Sequence, residues 1–266
     1  MCRWIAYHGE SIPLDSYVIK PVHSLVSQSV HALESTAVFN GDGFGLGWYG
    51  DPPEPGLYRE LRPAWSDENL QYLCQHLRSH LFFAHVRAAT GTSVSRPNCH
   101  PFACGRWLFM HNGVVGNWRN IRREIERMIP DDLYQYRGGT TDSEALFLAM
   151  LSSMEGPADP VEAARRMVLE VTRLANGAPF RFTAALADGR DLYAFRYSAN
   201  DDSNTLYYRA HGHAVVVASE PLDQDRGSWI GVPDNSALVA RWGVPLQILP
   251  FAQASEVETG AVANSG

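Results

Sequence analysis

An α+β fold, in which two antiparallel sheets are covered by helices, is what the order of residue patterns predicts. The chain starts with a β-rich segment, shows helical periodicity through its middle and ends in hairpin signals. A doubly wound parallel sheet would instead need strands alternating with helices along the whole length.

Residues 3–8, RWIAYH, read as a strand that carries Cys2 into the fold rather than leaving it on a frayed end. Leu25, Val26, Val30 and Leu33 mark a helix over 24–33, and Leu70, Leu73 and Leu77 mark a second one after a Ser66 cap. Between them, NGDGFGLGWYG at 40–50 alternates glycines within an apolar strand, a pattern for close approach of another backbone or of a ligand. It lacks the G-x-G-x-x-G spacing of a dinucleotide site. LFFAHVR (81–87) and RWLFMH (106–111) are β-rich. Trp118, Ile121, Ile125 and Met128 then form an amphipathic helix starting near Asn117. Thr141 and Glu144 have capping-box spacing for a helix from Asp142, and another helix spans about 161–175. Residues 182–198 read as a hairpin turning at Asp188-Gly189, followed by strands TLYYRA, AVVVAS and LQILP.

Composition sets the class. With 266 residues, 45% hydrophobic and 19% charged, the chain suits one domain over 1–252, and the polar, small-residue tail 253–266 is expected to be disordered. The net charge is −7, and the one basic run, Arg119, Arg122, Arg123 and Arg127, is interleaved with Glu124 and Glu126 as a solvated face. Nucleic acid is not an expected partner, because backbone binding needs a basic stripe. No apolar run is long enough to span a bilayer, and neither the start nor the four dispersed cysteines suggests secretion, so a reducing cytoplasm is expected. Cys99, His100, Cys104 and His111 cluster without a paired ligand spacing, so neither a metal nor another cofactor is expected.

The chemistry-bearing residues begin with Cys2. Trimming of Met1 would give it a free α-amine with a pKa of about 8, so that one residue holds both nucleophile and base. Arg87 ends an apolar strand beside a Gly/Thr loop, which suits either a bidentate fork for a carboxylate or a guanidinium that satisfies loop carbonyls. Asn112-Gly113 ends the next strand, as a side-chain amide and bare N–H forming an oxyanion hole, or as a plain Asn-Gly turn. Asp142 is either a helix-dipole partner or a site for an ammonium.

Taken together, Met1-Cys2, Arg87-Ala88-Ala89-Thr90, Asn98-Cys99-His100-Pro101, Gly105-Arg106 through His111-Asn112-Gly113, and Thr141-Asp142-Ser143-Glu144 stand in an order that resembles the class II glutamine amidotransferases. That family belongs to the N-terminal-nucleophile hydrolases. The resemblance implies a four-layer αββα sandwich. It implies that Cys2 attacks a side-chain carboxamide while its own amine shuttles the proton, and that Asn112 and Gly113 hold the oxyanion. It also implies that Arg87, with Thr90, clamps the substrate α-carboxylate and that Asp142 receives the α-ammonium. The substrate would be a small molecule, glutamine in the family pattern, with ammonia leaving first and water then cleaving a γ-glutamyl thioester.

Synthase-feeding members commonly carry R-W-A-T-H-G, where this chain has Ala88, Gly91 and Thr92. AHVRAATG and NGDGFGLGWY are closer to a stand-alone branch that includes the amidohydrolase of ergothioneine biosynthesis, which removes a γ-glutamyl group from a larger conjugate. After one glutaminase-sized fold, no acceptor domain is expected. Three readings follow. One is a glutamine hydrolase, alone or as a subunit supplying ammonia to a separate synthase. Another is a γ-glutamyl-conjugate amidohydrolase, and the third is a non-catalytic γ-glutamyl-binding module without a processed N-terminus.

Overall fold

The structure, a computed structural model, describes residues 2–34, 39–89, 91–154 and 159–257. Strands β1 (Arg3–Pro13), β2 (Phe44–Trp48), β3 (Gly56–Glu60), β4 (Arg78–Val86), β9 (Tyr207–His211), β10 (Ala214–Ala218) and β11 (Ile230–Gly231) form one sheet, ordered β11-β9-β10-β1-β4-β2-β3. Strands β5 (Phe102–Cys104), β6 (Trp107–Val115), β7 (Phe180–Ala187), β8 (Leu192–Ser198), β12 (Ser236–Ala240) and β13 (Gln247–Pro250) form the second, ordered β13-β12-β8-β7-β6-β5. Every neighbouring pair is antiparallel. The helices are α1 (Asp15–Val18), α2 (Leu25–Val30), α3 (Glu68–His76), α4 (Trp118–Arg127), α5 (Asp131–Tyr134), α6 (Asp142–Ser152) and α7 (Pro160–Ala175).

Side-chain alternation divides these elements into four layers. Trp4 and Ala6 of β1 join Leu81 and Phe83 of β4 in a core shared with Leu108 and Met110 of β6, Ala185 and Ala187 of β7 and Ala194 of β8. Large and small residues from the two sheets thus interdigitate, Trp4 and Phe83 with the alanines of β7 and β8 among them. Ile5 and Tyr7, one residue out of phase, pack with Phe82 and Ala84 against Leu14, Val18, Leu25, Leu70 and Cys74 of the first helical layer. Phe109, Phe180, Phe182 and Phe195 point from the second sheet into α4, α6 and α7. Helix α6 is buried from Ser143 to Leu151 because it lies between β6 and the helices α4 and α7. The order α, β, β, α is the expected sandwich.

Several local expectations change. The second helix is capped by Asp67, which accepts from Leu70 N at 3.0 Å, and not by Ser66, which closes a preceding 3-10 turn. The first helical pattern ends at Val30, with Ser24 as its cap. Thr141 does cap α6, accepting from Glu144 N at 3.2 Å. The Glu144 carboxylate, however, turns to Gly138 N, Gly139 N and Arg137 instead of closing the box. Asp188-Gly189 does turn the β7–β8 hairpin. Short β3, β5 and β11 and the strand β12 were not anticipated. In the tail, Gln253–Val257 includes a turn in which Glu256 pairs with Arg165, and residues 258–266 lie outside the described residues.

The glycines of β2 admit a backbone. A Cβ on Gly45 would stand 2.2 Å from the His100 carbonyl oxygen, so the 99–101 segment crosses the strand only where no side chain projects. At the start of β1, Arg3 is buried and donates from Nη2 to Glu34 O at 3.1 Å. Fully buried Glu220 accepts from His23 Nε2 (2.9 Å), Leu33 N (3.1 Å) and Glu34 N (2.7 Å). Burial pushes the Glu220 carboxyl up, but His23, Arg3 and the Glu34 amide outweigh it and hold it below the ordinary range.

A depressed folded-state pKa contributes stability that is present above the unfolded carboxylate value, about 4.3, and lost as the pH falls through the folded value. Glu220→Ala should therefore lower the unfolding free energy at neutral pH by roughly 3–5 kcal/mol, since it strands buried donors and a buried cation. Urea denaturation checks this, and a loss below about 1 kcal/mol would remove Glu220 from its anchoring role.

Candidate active site

The site forms where β1, β4 and β6 end on the same side of the sandwich. Arg3 pairs with Val86 and Trp4 with His85, a register that sets Cys2 beside Arg87. Cys2 is two residues before Trp4 and Arg87 two beyond His85. Asn112 likewise follows Leu108 and Met110 at strand spacing, so the three project into the gap between the sheets. Cys2, Arg87, Asn112, Gly113 and Asp142 line one cleft with Ala88, His100, His111, Trp118 and Ser143. Thr90 lies outside the described residues.

The Cys2 sulfur contacts one residue's peptide groups: Ala88 N donates to Sγ at 3.4 Å and Sγ donates to Ala88 O at 3.6 Å. Burial pushes this thiol up, partly offset by the Ala88 amide, the amino-terminal charge, Arg87 and Arg3. The resting group is a thiol that needs a base. The nearby rings are poor candidates. Burial lowers His85 to about 3 and His100 well below its usual range, and it lowers His111 as well. His85 and His100 stack at 4.3 Å, and their ring nitrogens have no hydrogen-bond partner among the described residues.

Arg87 is buried, and its guanidinium holds the following loop: Nη2 donates to Thr92 Oγ1 at 2.8 Å and to Ser93 O at 3.2 Å. Asp42, which motif reading passed over within the glycine-rich segment, accepts from Ala89 N at 2.7 Å and fixes the backbone beside the sulfur. Asn98 ties the same loop to the start of α6, donating to Ser93 O at 3.0 Å and accepting from Thr140 N at 2.8 Å. The cation is thus fixed in place, with loop groups satisfied by the same fork that faces the cleft.

Asn112-Gly113 is not a turn. Strand β6 runs on to Val115, with Asn112 opposite Thr183 and Gly113 opposite Phe182. Asn112 Nδ2 is buried and has no acceptor among the described residues, while its carbonyl accepts from Asn204 Nδ2 at 2.9 Å. Pairing of β6 with β5 stops at Phe109. Peptide alternation aims Gly113 N–H the same way as Val115 N–H, which leaves the sheet for Asp142 Oδ2 at 3.2 Å. Asn112 and Gly113 therefore offer a side-chain N–H and a main-chain N–H at an uncovered strand edge. A Cβ at Gly113 would meet Arg181 O at 2.0 Å and His111 Nε2 at 2.2 Å, so the fold itself requires glycine there. Asp142 opens α6, its Oδ1 accepting from Ser143 N at 2.8 Å. It is a helix N-terminal carboxylate and a cleft residue at once.

The arrangement places a nucleophile, two N–H groups, a cation and an anion around one small space. A second hollow at the far end of β1, lined by His8, His213, Arg241 and Val244, holds no thiol or hydroxyl side chain among the described residues. Residues 22–211 match the family model described as glutamine amidotransferases class-II. The chain belongs to the class II glutamine amidotransferases. It is 31% identical to Probable glutamine amidotransferase DUG3 of Saccharomyces cerevisiae over 91% of this chain and 82% of that one. It is 30% identical to the gamma-glutamyl-hercynylcysteine sulfoxide hydrolase of Mycobacterium tuberculosis, over 95% and 99%. A solved structure from Silicibacter pomeroyi, a glutamine aminotransferase class-II domain protein, superposes with a TM-score of 0.73 at 36% identity, covering 94% of this chain and 100% of that one. The PRPP amidotransferase of B. subtilis shares the fold alone, at 14% identity and a TM-score of 0.64. The match covers 94% of this chain and 49% of that enzyme. Among the described residues, no helix of this amidotransferase is long and apolar enough to cross a membrane.

Gly113→Ala should cost this enzyme on the order of 3 kcal/mol, because the new methyl meets a backbone carbonyl that β-pairing holds in place. Unfolding of the purified variant reads the loss, and wild-type stability would show that the strand can yield there.

Proposed function

We propose that this amidotransferase hydrolyses the γ-carboxamide of glutamine through a thioester on Cys2. The observation that carries this reading is the convergence of Cys2, Arg87, Asn112, Gly113 and Asp142 on one cleft, with no side-chain base hydrogen-bonded to the sulfur among the described residues. Removal of Met1 frees the α-amine of Cys2, which takes the thiol proton. Sulfur attacks the carboxamide carbon, and the carbonyl electrons move onto oxygen, where Asn112 Nδ2–H and Gly113 N–H receive them. The Cys2 ammonium returns its proton to the leaving nitrogen, the C–N bond breaks and ammonia departs. Water, deprotonated by the same amine, then adds to the thioester. The C–S bond breaks, giving glutamate and the free thiol. Arg87, with Thr90, receives the substrate α-carboxylate and Asp142 the α-ammonium. These charges recognise an amino acid and leave the amine half unspecified. The chemistry needs no metal or organic cofactor, and the enzyme works in the cytoplasm, either alone or beside a separate synthase that consumes its ammonia.

A second reading, hydrolysis of a γ-glutamyl conjugate with a larger leaving amine, draws support from the cleft wall. Ala88 and Gly91 stand there, where the synthase-feeding pattern has Trp and His, and a Cβ built on Gly91 has nothing within 4 Å. The related hydrolase from Mycobacterium tuberculosis is named for such a substrate.

Purified wild type and Cys2→Ala given glutamine and a panel of γ-glutamyl amines separate the readings. Ammonia release from glutamine by wild type and none by Cys2→Ala is expected, a loss of several orders of magnitude. Release of larger amines alone would favour the second reading, and normal turnover by Cys2→Ala would reject the thioester.

A further inference from the structure

His111 is buried between Phe109 and Phe182 on the helical face of β6, with the Phe182 ring centroid 5.3 Å from its own. Its Nε2 lies 3.2 Å from Arg181 O, and a carbonyl only accepts, so this nitrogen carries the ring proton. Nδ1 is then a bare acceptor, and Ser143 Oγ stands 2.9 Å from it. Ser143 Oγ is also 3.3 Å from Asp142 Oδ1. A hydroxyl has a single proton, so these two contacts compete. Burial keeps the ring neutral against the pull of Asp142 and the Arg181 carbonyl, so Nδ1 stays available.

We propose that His111 is a positioning residue for the substrate α-amine, holding the Ser143 proton away from Asp142 so that the carboxylate keeps its lone pairs for the ammonium. The inference rests on the reading of Asp142 as the partner of that ammonium. Asp142 already accepts from Ser143 N and Val115 N, one on each oxygen. A third donor, the Ser143 hydroxyl, would compete with the ammonium for Oδ1 and draw off part of the carboxylate charge. His111 prevents this without touching substrate. The small residue at Gly113 makes room for the ring, since a Cβ there would stand 2.2 Å from Nε2.

The test compares glutamine with its des-amino analogue, 4-carbamoylbutanoate, in steady-state kinetics. His111→Leu removes the acceptor for Ser143. It should raise KM for glutamine on the order of tenfold relative to the analogue, with a smaller change in kcat. His111→Asn, whose Oδ1 takes the place of Nδ1, should restore most of the discrimination. Ser143→Ala, which removes the competing hydroxyl, should abolish the amine-specific penalty of His111→Leu in the double variant. If His111→Leu fails to fold, His111→Asn keeps the idea testable, since loss of the discrimination in that variant would overturn it. Equal losses on both substrates, or a penalty that survives Ser143→Ala, would overturn the role of His111. Asp142→Ala is the separate control. If it still prefers glutamine over the analogue as strongly as wild type does, the assignment of Asp142 fails, whatever His111 does.

Discussion

The pairing of β1 with β4 is the constraint on which the site depends. It brings the first residues of the chain beside the end of a buried strand eighty residues later in sequence, and its register decides which side chain faces which layer. A slip of β1 by one residue would send Cys2 to the helical face and bring Arg3 into the gap between the sheets, away from Arg87. The register is held by Trp4, Leu81 and Phe83 on one face and Ile5, Tyr7 and Phe82 on the other. Core packing and the placement of the nucleophile are thus the same set of contacts. The Glu220 cluster pins the start of the strand from the outer side.

Electrostatics around the cleft follow from that burial. Three histidines lie around the site, yet desolvation keeps their rings neutral, so the guanidinium groups of Arg87 and Arg3 supply the side-chain positive charge near the sulfur. Such electrostatics suit the anionic head group and the base carried by Cys2 that the proposed mechanism uses. The unpaired Asn112 amide fits the same picture: a buried donor without an acceptor costs stability unless another oxygen fills its place.

Much of this was legible in the sequence where the signal is local. Thr141 capping α6, the β7–β8 hairpin at Asp188-Gly189, the phase of α4 and the span of α7 each rest on residues close to one another in sequence. The motifs around Cys2, Arg87, Asn112 and Asp142 were legible because they stand in a distinctive order along the chain, with Asn112 polar in an otherwise apolar strand. What escaped was long-range. Nothing near Gly45 names His100 as the backbone crossing it, and nothing near His111 names Ser143 or Arg181 as its partners. Asn112-Gly113 looked like a strand end because the dipeptide is a turn former, whereas pairing with β7 carries the strand through it. Asp67 and Ser66 are both good caps, and only the fold selects between them.

On the proposed mechanism, the sulfur of Cys2 and its own freed amine perform the reaction. Mass analysis of enzyme from its native host, quenched during glutamine turnover, tests it most directly. The expected result is an N-terminal peptide that begins at Cys2 and carries one glutamyl group on sulfur. Turnover by protein that retains Met1, or a glutamyl group on any other residue, would contradict it.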